Sequence, residues 1–368
     1  MIEWSAGHGL NLRRAEEIIL LLAPRDAPHA QVVLDMSQCR HIDVGAGWRL
    51  GNALRRLQDS HLTIRVPEPG DFTGFWFLHF TRSGLGLSIA HHARRVEARG
   101  VDITERVKHY YAKPRQIQQA PQELGGRSWI STNFCLIPDL HKASFNPEHE
   151  GQFRTVLHTL LPYVGIDERV YGQVSLRAIA SLLFEAIQNV YDHAARLPLS
   201  RGTTILSYLA LRSYRRINNP KAFTSDFPSY LAALAEQGLA TDEGFVELVV
   251  ADDGIGIPAR QGLSEDVYWK SFQREETLLR EALADHGSVK INARDAPVRG
   301  DPGYGFSAIQ RALHNLGAFA VLRTGRSLVA FDAFRGRPDF DLKSEVGYMP
   351  GTVLQVVFPL TPATLFTI

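Results

Sequence analysis

Three side chains with chemical potential lie four residues apart in one stretch of the chain: Glu185, Asn189 and His193. In a helix, this spacing places a carboxylate, an amide and an imidazole in one stripe on one face. Apolar residues occupy a neighbouring arc, which predicts burial against a core: Ile179, Leu183, Ala186, Ile187 and Val190. An amphipathic surface helix would show the same spacing, so the stripe needs support from other segments.

A second group of candidate residues follows a predicted buried strand. The apolar run at 245–250 leads directly into Asp252-Asp253-Gly254-Ile255-Gly256. Glycines let a backbone turn tightly and approach a flat ligand, and a carboxylate held there can accept a hydrogen bond from an exocyclic amine. A simple turn at the end of a strand would have the same composition.

Two further glycine segments have features of a ligand site. Gly303-Tyr304-Gly305-Phe306 precedes a predicted helix, so free backbone N–H groups and the positive helix end could bind a phosphate. Gly351-Thr352 leads into a predicted strand and offers a hydroxyl at its start. Each segment alone is weak evidence, and the ordered set of four carries the prediction.

Taken in order, the four segments resemble the nucleotide-binding pattern of the GHKL ATPases, which include the gyrase B subunit and the histidine kinases. The resemblance covers about residues 150–360. It implies a Bergerat-fold α/β sandwich, with a mixed sheet covered by helices on one face, that binds ATP and Mg²⁺.

The resemblance also implies roles for individual residues. Asn189 would hold Mg²⁺ through its side-chain oxygen, and Glu185 would be the catalytic residue that polarises the attacking water. Asp252 would bind the adenine amine, supported by Thr352. Further nucleotide contacts would come from Gly254, Gly256, Gly303, Gly305 and Phe306. Asp192 and His193 lie near the same face, where each could contact a phosphate-bound water or hydrogen-bond within the fold.

A lid over the nucleotide is implied for the region of about 258–302. Its charged residues include three candidates to neutralise the triphosphate, between which the sequence does not choose: Lys290, Arg294 and Arg299.

The first part of the chain predicts strands that alternate with helices, which is typical of an α/β sheet. The segment VVLDMSQCRHIDVGAG, with Asp43 before a glycine-bearing turn, resembles a STAS domain over about residues 10–100. In that family the serine just after the aspartate is phosphorylated, whereas Val44-Gly45-Ala46 offers no hydroxyl. A docking or structural module is therefore expected. The predicted organisation is a STAS-like domain at 1–110, a junction at 111–150 and the ATP-binding domain at 151–368.

Composition sets wider limits on function. The 368 residues are 45% hydrophobic and 21% charged, with a net charge of +1, so neither a membrane nor nucleic acid is indicated as a partner. Cys39 and Cys135 lack metal-site spacing, and we find no leader sequence, which favours a reduced, cytoplasmic setting.

The combined prediction is a Mg-ATP-binding protein that hydrolyses ATP to drive a conformational or association switch. An anti-sigma-type serine protein kinase is the first alternative, because those kinases carry a glutamate at the position of Glu185. A non-catalytic nucleotide-gated scaffold is the second. A protein partner or self-association is expected, through the N-terminal domain or nucleotide-dependent dimerisation. The stretch from Arg212 to Glu243 is predicted to be an insertion of open role.

Overall fold

A computed structural model describes the chain over residues 2–22, 31–39, 42–54, 61–66, 84–86, 89, 95–98, 100–111, 134–138, 161, 168–190, 207–214, 224–239, 244–261, 272–284, 305–335 and 340–360. Within these ranges no helix has both the length and the apolar character that a bilayer span needs.

The described residues form ten strands and eight helices. The strands are β1 (Ile2–Ser5), β2 (Gln31–Asp35), β3 (His61–Val66), β4 (Arg95–Ala98), β5 (Val101–Asp102), β6 (Phe134–Pro138), β7 (Ser207–Tyr214), β8 (Phe245–Asp252), β9 (Phe319–Asp332) and β10 (Asp341–Pro359). The helices are α1 (Leu12–Leu22), α2 (Val44–Leu54), α3 (Thr104–Tyr111), α4 (Glu168–Asn189), α5 (Phe227–Glu236), α6 (Ile257–Gln261), α7 (Phe272–Leu283) and α8 (Gly305–Asn315).

The first sheet has the strand order β1-β2-β3-β4-β5. Its first three pairs are parallel, and the short β5 pairs with β4 in the antiparallel direction. Parallel strands require crossover connections, and α1 and α2 lie in the connections from β1 to β2 and from β2 to β3. The prediction of an α/β chain is confirmed.

The second sheet has the order β6-β7-β8-β10-β9. All four of these strand pairs are antiparallel, so the described strands differ from the mixed sheet expected from the sequence. The physical reason is local connectivity, because β9 and β10 form one long hairpin. β6, from the predicted junction at 111–150, pairs with β7 at the edge of this sheet.

The front face of the second sheet packs against helices α4 and α8. Alternate residues of β8 on this face are Val246, Leu248 and Val250, and they share one core with apolar residues of both helices. Helix α4 has a non-helical residue at Gly172, with φ of 60°, and the segment after this break carries Glu185 and Asn189 to the sheet.

The rear face of the same sheet is also covered, contrary to the expectation of helices on one face only. Its residues share a core with α1 and α2 of the first domain, and the Trp48 and Tyr208 rings stack with centroids 4.5 Å apart. Every residue of α2 is buried. The cause lies in β8, whose eight residues are all buried, because an antiparallel sheet with two apolar faces needs a cover on each.

Helix α5 covers another part of the rear face. Its Phe227, Tyr230 and Leu234 form a core with residues of β8, β9 and β10, and the Tyr230 hydroxyl donates to the Gly317 carbonyl at 2.8 Å. The predicted insertion from Arg212 to Glu243 is thus corrected in part. It begins inside β7, and its helix belongs to the packing of the sheet.

Charged side chains cross the rear interface. Glu16 of α1 contacts both Arg49, at 3.3 Å, and Arg323, at 3.0 Å. Arg49 also donates to Gln355 of β10 at 3.3 Å. Burial lowers the pKa of Arg49 to about 10, although Glu16 opposes this effect, so the guanidinium remains charged at neutral pH.

Replacing Glu16 by Gln should destabilise the protein by about 3–5 kcal/mol, because two almost fully buried guanidinium groups would lose the carboxylate between them. Urea unfolding of the purified variant measures this change. Glu17→Gln is the matched control, since Glu17 pairs with Arg13 and Arg14 on the exposed side of α1 and should change stability by less than about 1 kcal/mol. Equal losses in both variants would contradict the assignment.

Candidate functional site

A row of polar side chains crosses four strands at one end of the front face. Strand register places Ser207, Asp252, Thr352 and Thr324 side by side on β7, β8, β10 and β9. The next row on this face is apolar and belongs to the front core: Leu209, Val250, Leu354 and Leu322. The row therefore marks the boundary at which the apolar core ends and a polar site can begin.

Asp252 and Thr324 fix the loop that follows β8. The Asp252 carboxylate is buried and accepts a hydrogen bond from the Gly254 N–H at 2.8 Å. The Ile257 N–H donates to the Thr324 hydroxyl at 3.1 Å. Between these bonds, Gly256 has a φ of 82°, which favours glycine, so the DxGxG sequence forms a loop of defined shape.

Thr352 lies beside Thr324, with 3.4 Å between their hydroxyl oxygens. Thr324 also approaches the Gly351 carbonyl at 3.2 Å, in a geometry that lets its hydroxyl donate. The structure thus brings Asp252, Gly254, Gly256 and Thr352 together at this end of the sheet. Thr324 was missed, because only the register of β9 against β10 reveals that this threonine continues the row.

The second group of predicted residues meets where α8 begins against α4. A methyl group placed on Gly305 would lie 3.2 Å from Glu185 Oε2 and 3.6 Å from Asn189 Oδ1. Both side chains are partly buried, and one turn of helix separates them. The start of a helix therefore lies close to a carboxylate and an amide, with no side chain of its own between them.

The remaining predicted residues differ in their placement. Phe306 is partly buried, packs against the front core and contacts Phe340 edge-on at 6.1 Å between ring centroids. The Phe306 ring therefore belongs to the front core. Six other candidates lie outside the described residues: Gly303, Asp192, His193, Lys290, Arg294 and Arg299.

The predicted lid at about 258–302 contains two described helices, α6 and α7. The Glu275 carboxylate of α7 bonds to β9. Its Oε1 accepts hydrogen bonds from the Arg326 N–H at 2.6 Å and from the Ser327 hydroxyl at 3.1 Å. Glu275 is fully buried, and its Oε2 has no hydrogen-bond partner among the described residues. This part of the segment is therefore packed against β9, and residues 262–271 and 285–302 of the predicted lid lie outside the described residues.

The oxygen chemistry at α4 suits a hard cation. Across the described parts of the chain, no group of three or more histidine, cysteine, aspartate or glutamate side chains could hold a metal ion. A single amide oxygen such as that of Asn189 is a suitable ligand for Mg²⁺, which usually keeps several waters and takes phosphate oxygens as further ligands. The close approach of Asn189 to the start of α8 fits such a shared site.

No protein-family model matches the chain, and no curated protein matches it either.

Gly351 is expected to be irreplaceable at the turn before Thr352. Its φ is 76°, and a Cβ there would overlap the Asp252 carbonyl oxygen. Gly351→Ala should therefore cost more than the roughly 1–3 kcal/mol of backbone strain alone, as measured by chemical denaturation. Gly238→Ala is the control, because Gly238 has a φ of 69° with nothing within 4 Å of the added methyl group. Equal losses in the two variants would show that the close approach to Asp252 is unimportant.

Glu275 gives the protein a defined pH dependence. Burial raises the pKa of the Glu275 carboxyl above its ordinary value, although the hydrogen bond from the Arg326 N–H opposes this shift. Its contribution to stability is therefore fully present below the unfolded-state pKa and decreases as the pH rises through the folded-state pKa. The melting temperature of Glu275→Gln minus that of the parent protein should thus increase from acid to neutral pH.

The exposed ion pair on the same helix provides the control for this experiment. Glu276 pairs with Arg280 at 2.9 Å, and Glu276→Gln should give no comparable increase. A melting-temperature difference for Glu275→Gln that decreases with rising pH would contradict the buried-carboxylate assignment.

Proposed function

We propose that this chain binds Mg-ATP at the front end of the second sheet and hydrolyses it, in the manner of the GHKL ATPases with a Bergerat fold. The observation that carries the proposal is the meeting of Glu185, Asn189 and Gly305. Gly305 lies about 120 positions after Glu185 and Asn189 in the chain, and a helix start beside a carboxylate and an amide has the chemistry for a metal-bound phosphate.

The polar row supports the adenine end of the same site. Asp252 is buried and held in place by the Gly254 N–H, so its orientation is fixed before a ligand arrives. A carboxylate in this position can accept a hydrogen bond from the purine amine, and the Thr352 hydroxyl lies next to it in the strand register. The buried apolar row behind them would exclude water from one side of the base.

Hydrolysis would need little covalent help from the protein. Mg²⁺ and the triphosphate supply charge neutralisation and the reacting phosphorus when they are bound. Asn189 would hold the cation, and N–H groups at the start of α8 would bind phosphate oxygens. The Glu185 carboxylate would orient the attacking water and accept a proton from it.

Glu185→Gln should retain Mg-ADP affinity and lose at least about a hundredfold in turnover, because the amide keeps the shape but accepts no proton.

Asn189→Ala should weaken Mg-ADP binding and leave binding of metal-free ADP nearly unchanged. Isothermal titration calorimetry and a coupled phosphate-release assay measure these two quantities. Glu281→Gln, on the exposed surface of α7, is the control and should change neither.

Each alternative predicts a distinct result from the same preparations. Radiolabel transferred from ATP to protein, in place of released phosphate, would favour a serine protein kinase. Binding without turnover in the parent protein would favour a nucleotide-gated scaffold. Parental turnover in Glu185→Gln would contradict the role of Glu185.

A further inference from the structure

A residue of the first domain contacts the candidate site from behind. Asn52, in the last turn of α2, is fully buried against the second sheet. Its Nδ2 donates to the Asp252 carbonyl at 2.7 Å and to the Pro350 carbonyl at 3.2 Å. Within the described residues its Oδ1 has no hydrogen-bond partner. Its two hydrogen bonds there are therefore both donated by the Nδ2 group.

The two carbonyls belong to the backbone that carries the row of polar side chains. Asp252 ends β8 with its carboxylate on the front face and its carbonyl bonded to Asn52. Pro350 lies two residues before Thr352, and Gly351 between them packs directly on the Asp252 carbonyl. One amide group therefore ties the end of β8 to the start of the paired segment of β10. A shift of the Asp252 carbonyl would also reorient the Asp252 carboxylate on the front face. A shift of the Pro350 carbonyl would likewise displace Thr352 on β10.

We propose that Asn52 is a positioning residue that sets the adenine selectivity of the nucleotide site, so that the first domain forms part of the site. This inference rests on the function proposed above. Asn52 fixes the direction of the Asp252 carboxylate relative to Thr352. This direction decides whether the 6-amine of adenine can donate a hydrogen bond to the carboxylate. Phosphate binding at α4 and α8 does not depend on Asn52.

A purely structural role for Asn52 would give a different result. If the residue only holds the domains together, its loss should weaken all nucleotides equally. If it positions Asp252, its loss should weaken ADP by about tenfold and GDP by less than about threefold, because guanine has a carbonyl in place of the 6-amine from which Asp252 would accept a hydrogen bond. The ratio of the two dissociation constants is therefore the informative quantity.

Three substitutions of the intact chain separate the lost donor from lost packing. Asn52→Ala removes the donor and its volume, whereas Asn52→Asp retains the shape and places a second acceptor against two carbonyl oxygens. Asn52→Ser keeps one donor. The expected order of selectivity for ADP over GDP is Asn, then Ser, with Ala and Asp lowest. Each dissociation constant is measured by calorimetry with Mg²⁺, at a temperature at which the variant is folded by circular dichroism.

Ile64→Val is the matched control, because Ile64 is buried on β3, which pairs with β2 and β4 of the first sheet. It should lower the melting temperature and leave the ADP-to-GDP ratio unchanged. An equal loss of selectivity in this control would overturn the inference, as would an unchanged ratio in Asn52→Ala and Asn52→Asp. Failure of the parent protein to bind either nucleotide would instead overturn the proposed function, and this inference with it.

A measurement on the parent protein removes dependence on the folding of the variants. Since coupling is reciprocal, saturation with ADP should slow amide hydrogen exchange in the last turn of α2 more than saturation with GDP. Equal exchange in the two complexes would overturn the inference.

Discussion

The structure depends on the burial of both faces of one antiparallel sheet. β8 has eight consecutive buried residues, so neither face of the second sheet can be left to solvent. Its own helices α4 and α8 cover the front, and α1, α2 and α5 cover the rear. Since two of the rear helices come from the first domain, separating the domains would expose an apolar surface of the second. The two domains therefore form one packed structure of alternating sheets and helices.

Apolar packing alone would not fix how α2 lies on this sheet, because dispersion contacts have little direction. The interface contains three arginines, Arg49, Arg212 and Arg323, which form ion pairs with Glu16, Asp43 and Glu247. Desolvation offsets much of the energy of such pairs. Their directional hydrogen bonds, together with those of Asn52 and Gln355, specify one register of helix on sheet.

The local features of the site could be predicted from the sequence, whereas the contacts across the chain could not. The four-residue spacing of Glu185 and Asn189 and the glycines at 254 and 256 follow from helical period and backbone sterics. The contact of Asn52 with Asp252 joins residues 200 positions apart and depends on the docking of two domains. Thr324 and Glu275 were missed for a similar reason, since strand register and helix docking bring them to their partners.

The same docking leaves no open surface at the turn that begins α2. Val44 is buried, and Gly45 packs on the side chain of Gln355. Gln355 cannot easily move aside, because it donates to Glu247 at 2.6 Å and accepts from Arg49 at 3.3 Å. A phosphate at this turn would need space and hydration that the interface does not provide. The second sheet covers this surface, and Asn52 at the other end of α2 donates to the carbonyl of Asp252 at the end of β8. Helix α2 therefore connects its buried first turn at Val44 and Gly45 to the rear of the candidate site.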